Sequence, residues 1–485
     1  MKMNKNYKHS LIALIIGAAI IFLLPAQNGL TPAGVRMLGV FIPTIYLWLT
    51  CNPGWSSLVS ISMIAVLNII NGTATFTGMW GSMFVAVLIP FFMLSIVLEE
   101  TGAMEWLVRW ILSRKFLHGR PTLFTIMFIV AMLLASTVIV PIVVCVMFFK
   151  ILKQICGSIG YTRDDEFFRA HGMLIGWIGQ TVDGSLIWGR AFLISMVAVI
   201  VGLGFENMTL NDLMGIGLIY ILAFSVFCFL IIKLWWKPDV SKFKNYDDAA
   251  IREELRLHPM TKRGKAVMIA MLCVLVVYIV ASLKFLGPIS DYATMLSIAC
   301  PPTLACGILA IIQVDGEPVM DLNRAASKVS WTTIFFMATI MFYAGNFGSA
   351  DFGITVFLQN CFGFASALPT TLMILVGFAL ASLFTNFASN AVSCIAVSAS
   401  FVPVMLASGN MSRAQVLAFA ALLLPVCGTA IATRSACATM GVVYCDDGIE
   451  YKGTPKYSAV LCILMVLFCT FVMMPIATSL LSAIA

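Results

Sequence analysis

The chain has 485 residues, 61% of them hydrophobic and only 11% charged, with a mean hydropathy of +1.00 and a formal charge of +7. Soluble domains carry about 25% charged residues, so this composition excludes a soluble globular protein and reads as an all-α polytopic membrane protein. The positive excess gathers in loops on one side of the membrane, which excludes a nucleic-acid partner as its explanation. At the N-terminus, Lys2, Lys5 and Lys8 precede an apolar run from Ser10 to Pro25. A signal peptide starts the same way, but the run is long for a signal core and is read as an uncleaved first span.

Further along, hydropathy predicts spans at Val35–Cys51, Trp55–Ile70, Met79–Leu98, Gly172–Gly202, Leu213–Trp236, Ala266–Leu283, Ala293–Gln313, Trp331–Gly345, Val416–Tyr444 and Ala459–Ala485. Two segments are read differently, 122–156 and 369–406. In the second, Thr385-Asn386-Phe387-Ala388-Ser389-Asn390-Ala391 interrupts two apolar halves, each shorter than the ~20 residues that cross a bilayer. Backbone that leaves the helix at mid-membrane depth must be buried in protein or line a wet cavity. The first segment carries a smaller polar break, Ala135-Ser136-Thr137. With the N-terminus in the cytoplasm and both segments as re-entrant hairpins, 24 of the 29 Lys and Arg fall inside. Making either segment a single crossing inverts every later loop and destroys the bias.

The polar stretch 237–265 is the main cytoplasmic connection, with a short surface helix predicted over Asp247–Leu257. It divides the chain into halves 1–236 and 266–485 within one membrane domain. In each half a hairpin is followed by an interrupted span, Gly179–Ser185 in the first and Gly428–Ser435 in the second. The interval from hairpin break to interruption is 43 residues in one half and 39 in the other. Opposite entry of the two hairpins makes this an inverted-topology repeat, with about 11 transmembrane helices in all.

The breaks carry chemistry. Ser, Thr and Asn oxygens with freed carbonyls suit a hard monovalent cation, and half-helix N-termini suit a carboxylate or other oxyanion. Glycine at Gly179, Gly184 and Gly428 permits close backbone approach. The expected substrate-binding residues are Ser136, Thr137, Ser389, Asn390, Ala391, Thr433 and Arg434. The expected ion-binding residues are Ser136, Gly179, Thr385, Ser389, Asn390 and Gly428. Sodium is the one ion expected, and no cofactor. The 14 Cys and four His form no metal-type spacing.

TNFASNAVS (Thr385–Ser393) resembles the Ser-Asn-Thr hairpin-tip motif of the divalent-anion/sodium symporter family. LPVCGTAIATRSA (Leu424–Ala436) resembles that family's Leu-Pro-Val-Ala-Thr-Pro-Pro-Asn stretch. The chain departs from the motifs at Ala391, where the family has Thr. Its first half lacks the Asn, and Arg434-Ser435-Ala436 stands where Pro-Pro-Asn is expected. The resemblance therefore extends to the wider ion-transporter superfamily. It implies a homodimer whose transport subdomain moves against a scaffold like an elevator.

Three charges sit within or beside the interruptions. Arg434 reads as a clamp on a substrate anion, as a fixed charge replacing sodium, or as a partner of Asp183 or a snorkelling side chain. Arg190 reads as snorkelling. Glu99-Glu100 is expected to pair with Arg109 or Arg114. The function expected is secondary transport of small dianions, dicarboxylate, tricarboxylate or sulfate, across the inner membrane, coupled to sodium or to counter-anion exchange. A cation/proton antiporter or metalloid-oxyanion exporter is the alternative, weakened by having one strong intramembrane carboxylate candidate, Asp183. An enzyme is not expected, since HExxH, GxSxG and His/Asp clusters are lacking.

Overall fold

The computed structural model describes residues 5–185, 197, 199–205, 207–208, 210–245, 249–282, 286–347, 349–361, 368–387, 390–434, 436–444, 449 and 453–484. The described chain is almost entirely helical, with one two-stranded β-hairpin, Gln313–Val314 (β1) against Glu317–Pro318 (β2). Eight of its helices are long and apolar enough to cross a membrane, or up to ten if each bent pair is one span. It is an all-α polytopic membrane protein.

Helices start where the sequence supplies a cap and a proline. Thr31 accepts from the Gly34 N–H and Asn52 from that of Gly54, each followed by Pro at the first helical position, opening α2 (Pro32–Thr50) and α3 (Pro53–Val66). Against α1 (Lys5–Leu23), α2 crosses closely: a Cβ on Gly17 would lie 2.6 Å from the Gly39 carbonyl oxygen. The short α4 (Gly72–Trp80) leads into α5 (Met83–Glu100). The buried chain Thr44–Ser60–Tyr343, with oxygens 2.7 and 2.6 Å apart, ties α2 and α3 to the distant α16 (Trp331–Phe347).

The amphipathic α6 (Ala103–Leu112) precedes the first hairpin, α7 (Pro121–Val138) and α8 (Pro141–Ile159). Its arms run antiparallel: Phe128 stands edge-on to Phe148 at 5.2 Å, and Phe124 and Tyr161, at the open end, both pack on Phe167. The turn falls at Ile139-Val140, not at Ala135-Ser136-Thr137. The Thr137 hydroxyl bonds back to the Leu133 carbonyl at 2.7 Å and lets the helix continue. Pro141 forces the preceding residue into extended geometry and sets the start of α8. At 18 and 19 residues, both arms are long and apolar enough to stand among the eight candidate spans, so neither is bound by length to be re-entrant.

After α9 (Glu166–Thr181) the backbone tightens into a 3₁₀ turn at Val182–Gly184, three residues beyond the expected start of the interruption. Then come α10 (Leu210–Leu230), continued by a π-turn at Ile231–Trp236, the surface helix α11 (Ala249–Leu257) and α12 (Lys262–Ser282). The span expected at Ala293–Gln313 is two helices, α13 (Pro288–Met295) and α14 (Cys300–Ile311), bent by 72° around Ser297, which adopts positive φ. A second 71° bend separates α15 (Leu322–Lys328) from α16. The helix α17 (Ile354–Cys361) leads to the second hairpin, α18 (Thr370–Thr385) and α19 (Asn390–Ser408). The broken helix α20 (Arg413–Gly428) and α21 (Ala438–Val443) follows, then α22 (Pro455–Phe468) and α23 (Met474–Leu481).

Ion pairs mark the faces. Glu100 pairs with Lys328 at 2.5 Å and Arg324 at 3.4 Å, not with Arg109 or Arg114. Arg109 instead binds Glu105 at 2.9 Å, and Arg114 lies over the Trp110 ring. Arg263 reaches the Val319 carbonyl, so the end of α5 and the starts of α12 and α15 share one face. On the other face Arg413 donates to the Gly204 carbonyl, and Thr31 to that of Asp351.

Candidate functional site

The two interrupted helices meet backbone to backbone. A Cβ on Gly184 would stand 2.6 Å from the Gly428 Cα, and one on Gly428 would stand 2.6 Å from the Gly184 Cα. Only residues without a side chain fit both positions. Gly179, one helical turn earlier, faces the first hairpin: a Cβ there would meet Cys145 Sγ at 3.2 Å and the Pro141 carbonyl at 4.0 Å. The first hairpin's turn, the first interruption and the second interruption therefore form one contiguous block.

The second hairpin is fastened to the same block. Thr385, fully buried, donates to the Cys427 carbonyl at 2.5 Å, and its Oγ1 lies 3.0 Å from Asn390 Oδ1. Asn386 reaches further. Its Oδ1 accepts the Ala432 N–H at 2.6 Å, its carbonyl accepts the Thr433 hydroxyl at 2.6 Å, and its Nδ2 donates to the Ser382 carbonyl at 2.7 Å. One Asn thus binds its own helix end and the loop between α20 and α21. That loop is also held by Tyr220, whose hydroxyl is 2.8 Å from Thr429 Oγ1.

Arg434 extends from this held loop. It is exposed and makes no hydrogen bond or ion pair among the described residues, so no Asp183 partnership is present. A guanidinium in a membrane protein seeks water, a headgroup or a ligand, because hydrocarbon is costly for it. Of the other expected residues, Ser136 is fully buried without a hydrogen-bond partner among the described residues, Thr137 is occupied by its own helix, and Ala391 is buried at the start of α19. Ser389, Ser435 and Arg190 lie outside the described residues. Three residues emerge that the sequence reading passed over. Asn386 is the main polar link of the second tip. Thr181 and Ser393, like Ser136, are buried hydroxyls without a partner among the described residues. Their identity inside apolar helices, next to a break, was the available signal. A buried polar group left unpaired costs roughly 1–3 kcal/mol, which a bound ion or water would offset. Among the described residues no group of three or more His, Cys, Asp or Glu could hold a metal ion.

Two helical pairs packed against the end of α9 and the break between α20 and α21 place polar groups inside an all-α polytopic membrane protein. The chain belongs to the citrate transporter family (CitMHS), whose model matches residues 11–424. That family is part of the ion-transporter superfamily. The match includes both hairpins and most of α20, and stops before the loop that carries Arg434. No curated protein matches the chain. The protein is a multi-pass secondary transporter of citrate or a related carboxylate, not an enzyme.

Proposed function

We propose that the chain carries a citrate-like anion by alternating access, with one carboxylate received by Arg434 beside the second hairpin tip. The observation that carries this reading is the exposed guanidinium, without an ion pair among the described residues, on a loop that Asn386 and Tyr220 hold in place. The planar fork of Arg suits a carboxylate in two parallel hydrogen bonds. The orphaned hydroxyls of Ser136, Thr181 and Ser393 support cation binding near the breaks. A permanent Arg charge compensates part of the anion's charge without being released with it, so sodium dependence is expected to be weak and anion exchange favoured. In this reading the two hairpin-plus-broken-helix units are an inverted pair in a homodimer of the inner membrane, with the N-terminus cytoplasmic, as the Lys/Arg bias supports. Uptake of labelled citrate, succinate and sulfate into proteoliposomes, with and without a sodium gradient and with internal citrate, tests it. No uptake of any carboxylate under any of these gradients would overturn it.

A further inference from the structure

A cleft of about 220 Å³ opens away from the breaks, where the first turn of α7, the start of α9 and the end of α10 come together. Thr122 and Thr125 line it from α7, His171 from α9, and Lys233 and Lys237 from the end of α10. Among the described residues no carboxylate lines it. The described acids nearby are already engaged: Glu166 with Arg169 and the Trp236 indole, Asp165 with Lys242, and Asp239 with Ser241. Both nitrogens of His171 are occupied, by Thr125 and the Phe167 carbonyl. Lys233 and Lys237 are exposed and have no ion pair among the described residues; Lys233 lies over the Phe229 ring at 5.6 Å.

The position of this cleft defines its ligand. The π-turn Ile231–Trp236 ends an apolar span of 25 residues. Leu230, Leu234 and Trp235 on it are exposed, as lipid-facing side chains are, and Trp236 stacks on Tyr457 at 4.3 Å. Aromatic residues followed by lysine mark the headgroup level. An anion seated here has its charge on the lysines and an apolar flank beside it. We propose that the cleft binds the phosphate of an anionic phospholipid in the Lys/Arg-rich leaflet, locking the end of α10 to the open end of the first hairpin. Basic clefts between spans at this level are a known way of holding lipid phosphates.

The test uses the full chain in nanodiscs of phosphatidylcholine with or without phosphatidylglycerol, read by native mass spectrometry and by melting temperature. The parent should retain phosphatidylglycerol and melt higher in its presence. K233Q/K237Q should lose roughly 30-fold in retention, from about 1 kcal/mol per lysine near an anionic surface, while melting like the parent in phosphatidylcholine alone. K233R/K237R should keep the lipid and so separates lost charge from lost fold. Parent-like retention by K233Q/K237Q would overturn the site. So would full displacement of the lipid's stabilising effect by inorganic phosphate, which would make it a soluble-anion site.

Discussion

At the scale of single residues, the site separates into groups that hold and a group that waits. Thr385, Asn386, Asn390 and Thr433 have polar atoms engaged with one another or with backbone, whereas Arg434 has no partner among the described residues. Replacing Arg434 with Gln removes hydrogen bonds to a charged ligand, about 1.5–3 kcal/mol. Citrate affinity should fall ten- to a hundredfold by calorimetry, with melting temperature unchanged. Arg434→Lys keeps the charge without the fork and should fall in between. If added sodium rescues Arg434→Gln, the residue stands in for an ion; parent-like binding by Arg434→Gln would remove it from the site. Asn386→Ala is a different kind of change. It strips the Ala432 N–H of its acceptor and should lower stability by roughly 2 kcal/mol while also lowering transport. An unchanged melting curve would show that the tip is held by something else.

At the scale of elements, the all-α membrane fold and the break after Gly428 were legible, because polar residues and glycines inside apolar runs have few structural explanations. Their exact turns were less so. In the first hairpin the polar residues Ser136 and Thr137 drew the break to themselves. The turn instead obeys Pro141, and Thr137 is accommodated by its own helix. The links made by Asn386 were not legible, since its partners lie 46 and 47 positions away. The Gly184–Gly428 contact makes a sharper test. Gly428→Ala forces a Cβ to within 2.6 Å of backbone, an overpacking that costs about 1–3 kcal/mol. Melting temperature and transport should fall together, and a tolerated Ala would show that the breaks can separate freely. The short α6 is tied to α8 by Glu105, which binds Arg109 at 2.9 Å and Lys150 at 3.1 Å. Burial raises the Glu105 carboxyl, but the hydrogen bonds from Arg109 and Lys150 outweigh it and leave the group below its usual value. A lowered carboxyl contributes above its unfolded value, near 4.5, and its contribution disappears as pH falls through the lowered one. Glu105→Gln should therefore destabilise the protein at pH 7, by an amount that shrinks as pH falls below 4.5, as melting curves across that range would show.

At the scale of the molecule, the alternating access proposed above requires something to move past something else, and one contact offers a boundary to test. Ser95 on α5 donates to the Val138 carbonyl at 3.0 Å, at the turn of the first hairpin. The hairpin is joined to the breaks through Gly179, whereas α5 is joined through Glu100 to α15. Ser95–Val138 is thus a bond between the block that carries the site and the helices beside it. Below it, a cleft of about 480 Å³ lies between the end of α5, α6 and the hairpin, lined by Glu99, Glu105, Ile139 and Lys150. It leaves room on the Lys/Arg-rich face for that block to shift. A single hydrogen bond contributes only about 0.5–1.5 kcal/mol, small enough to break in each cycle. A covalent bond is not. Ser95→Cys with Val138→Cys, joined by a short thiol cross-linker in proteoliposomes, should abolish citrate exchange, and a reducible linker should restore it on reduction. Each single variant, treated alike, controls for the native cysteines. If the cross-linked pair exchanges citrate at the parent's rate, the first hairpin and α5 travel together, and the moving boundary must lie elsewhere in the chain.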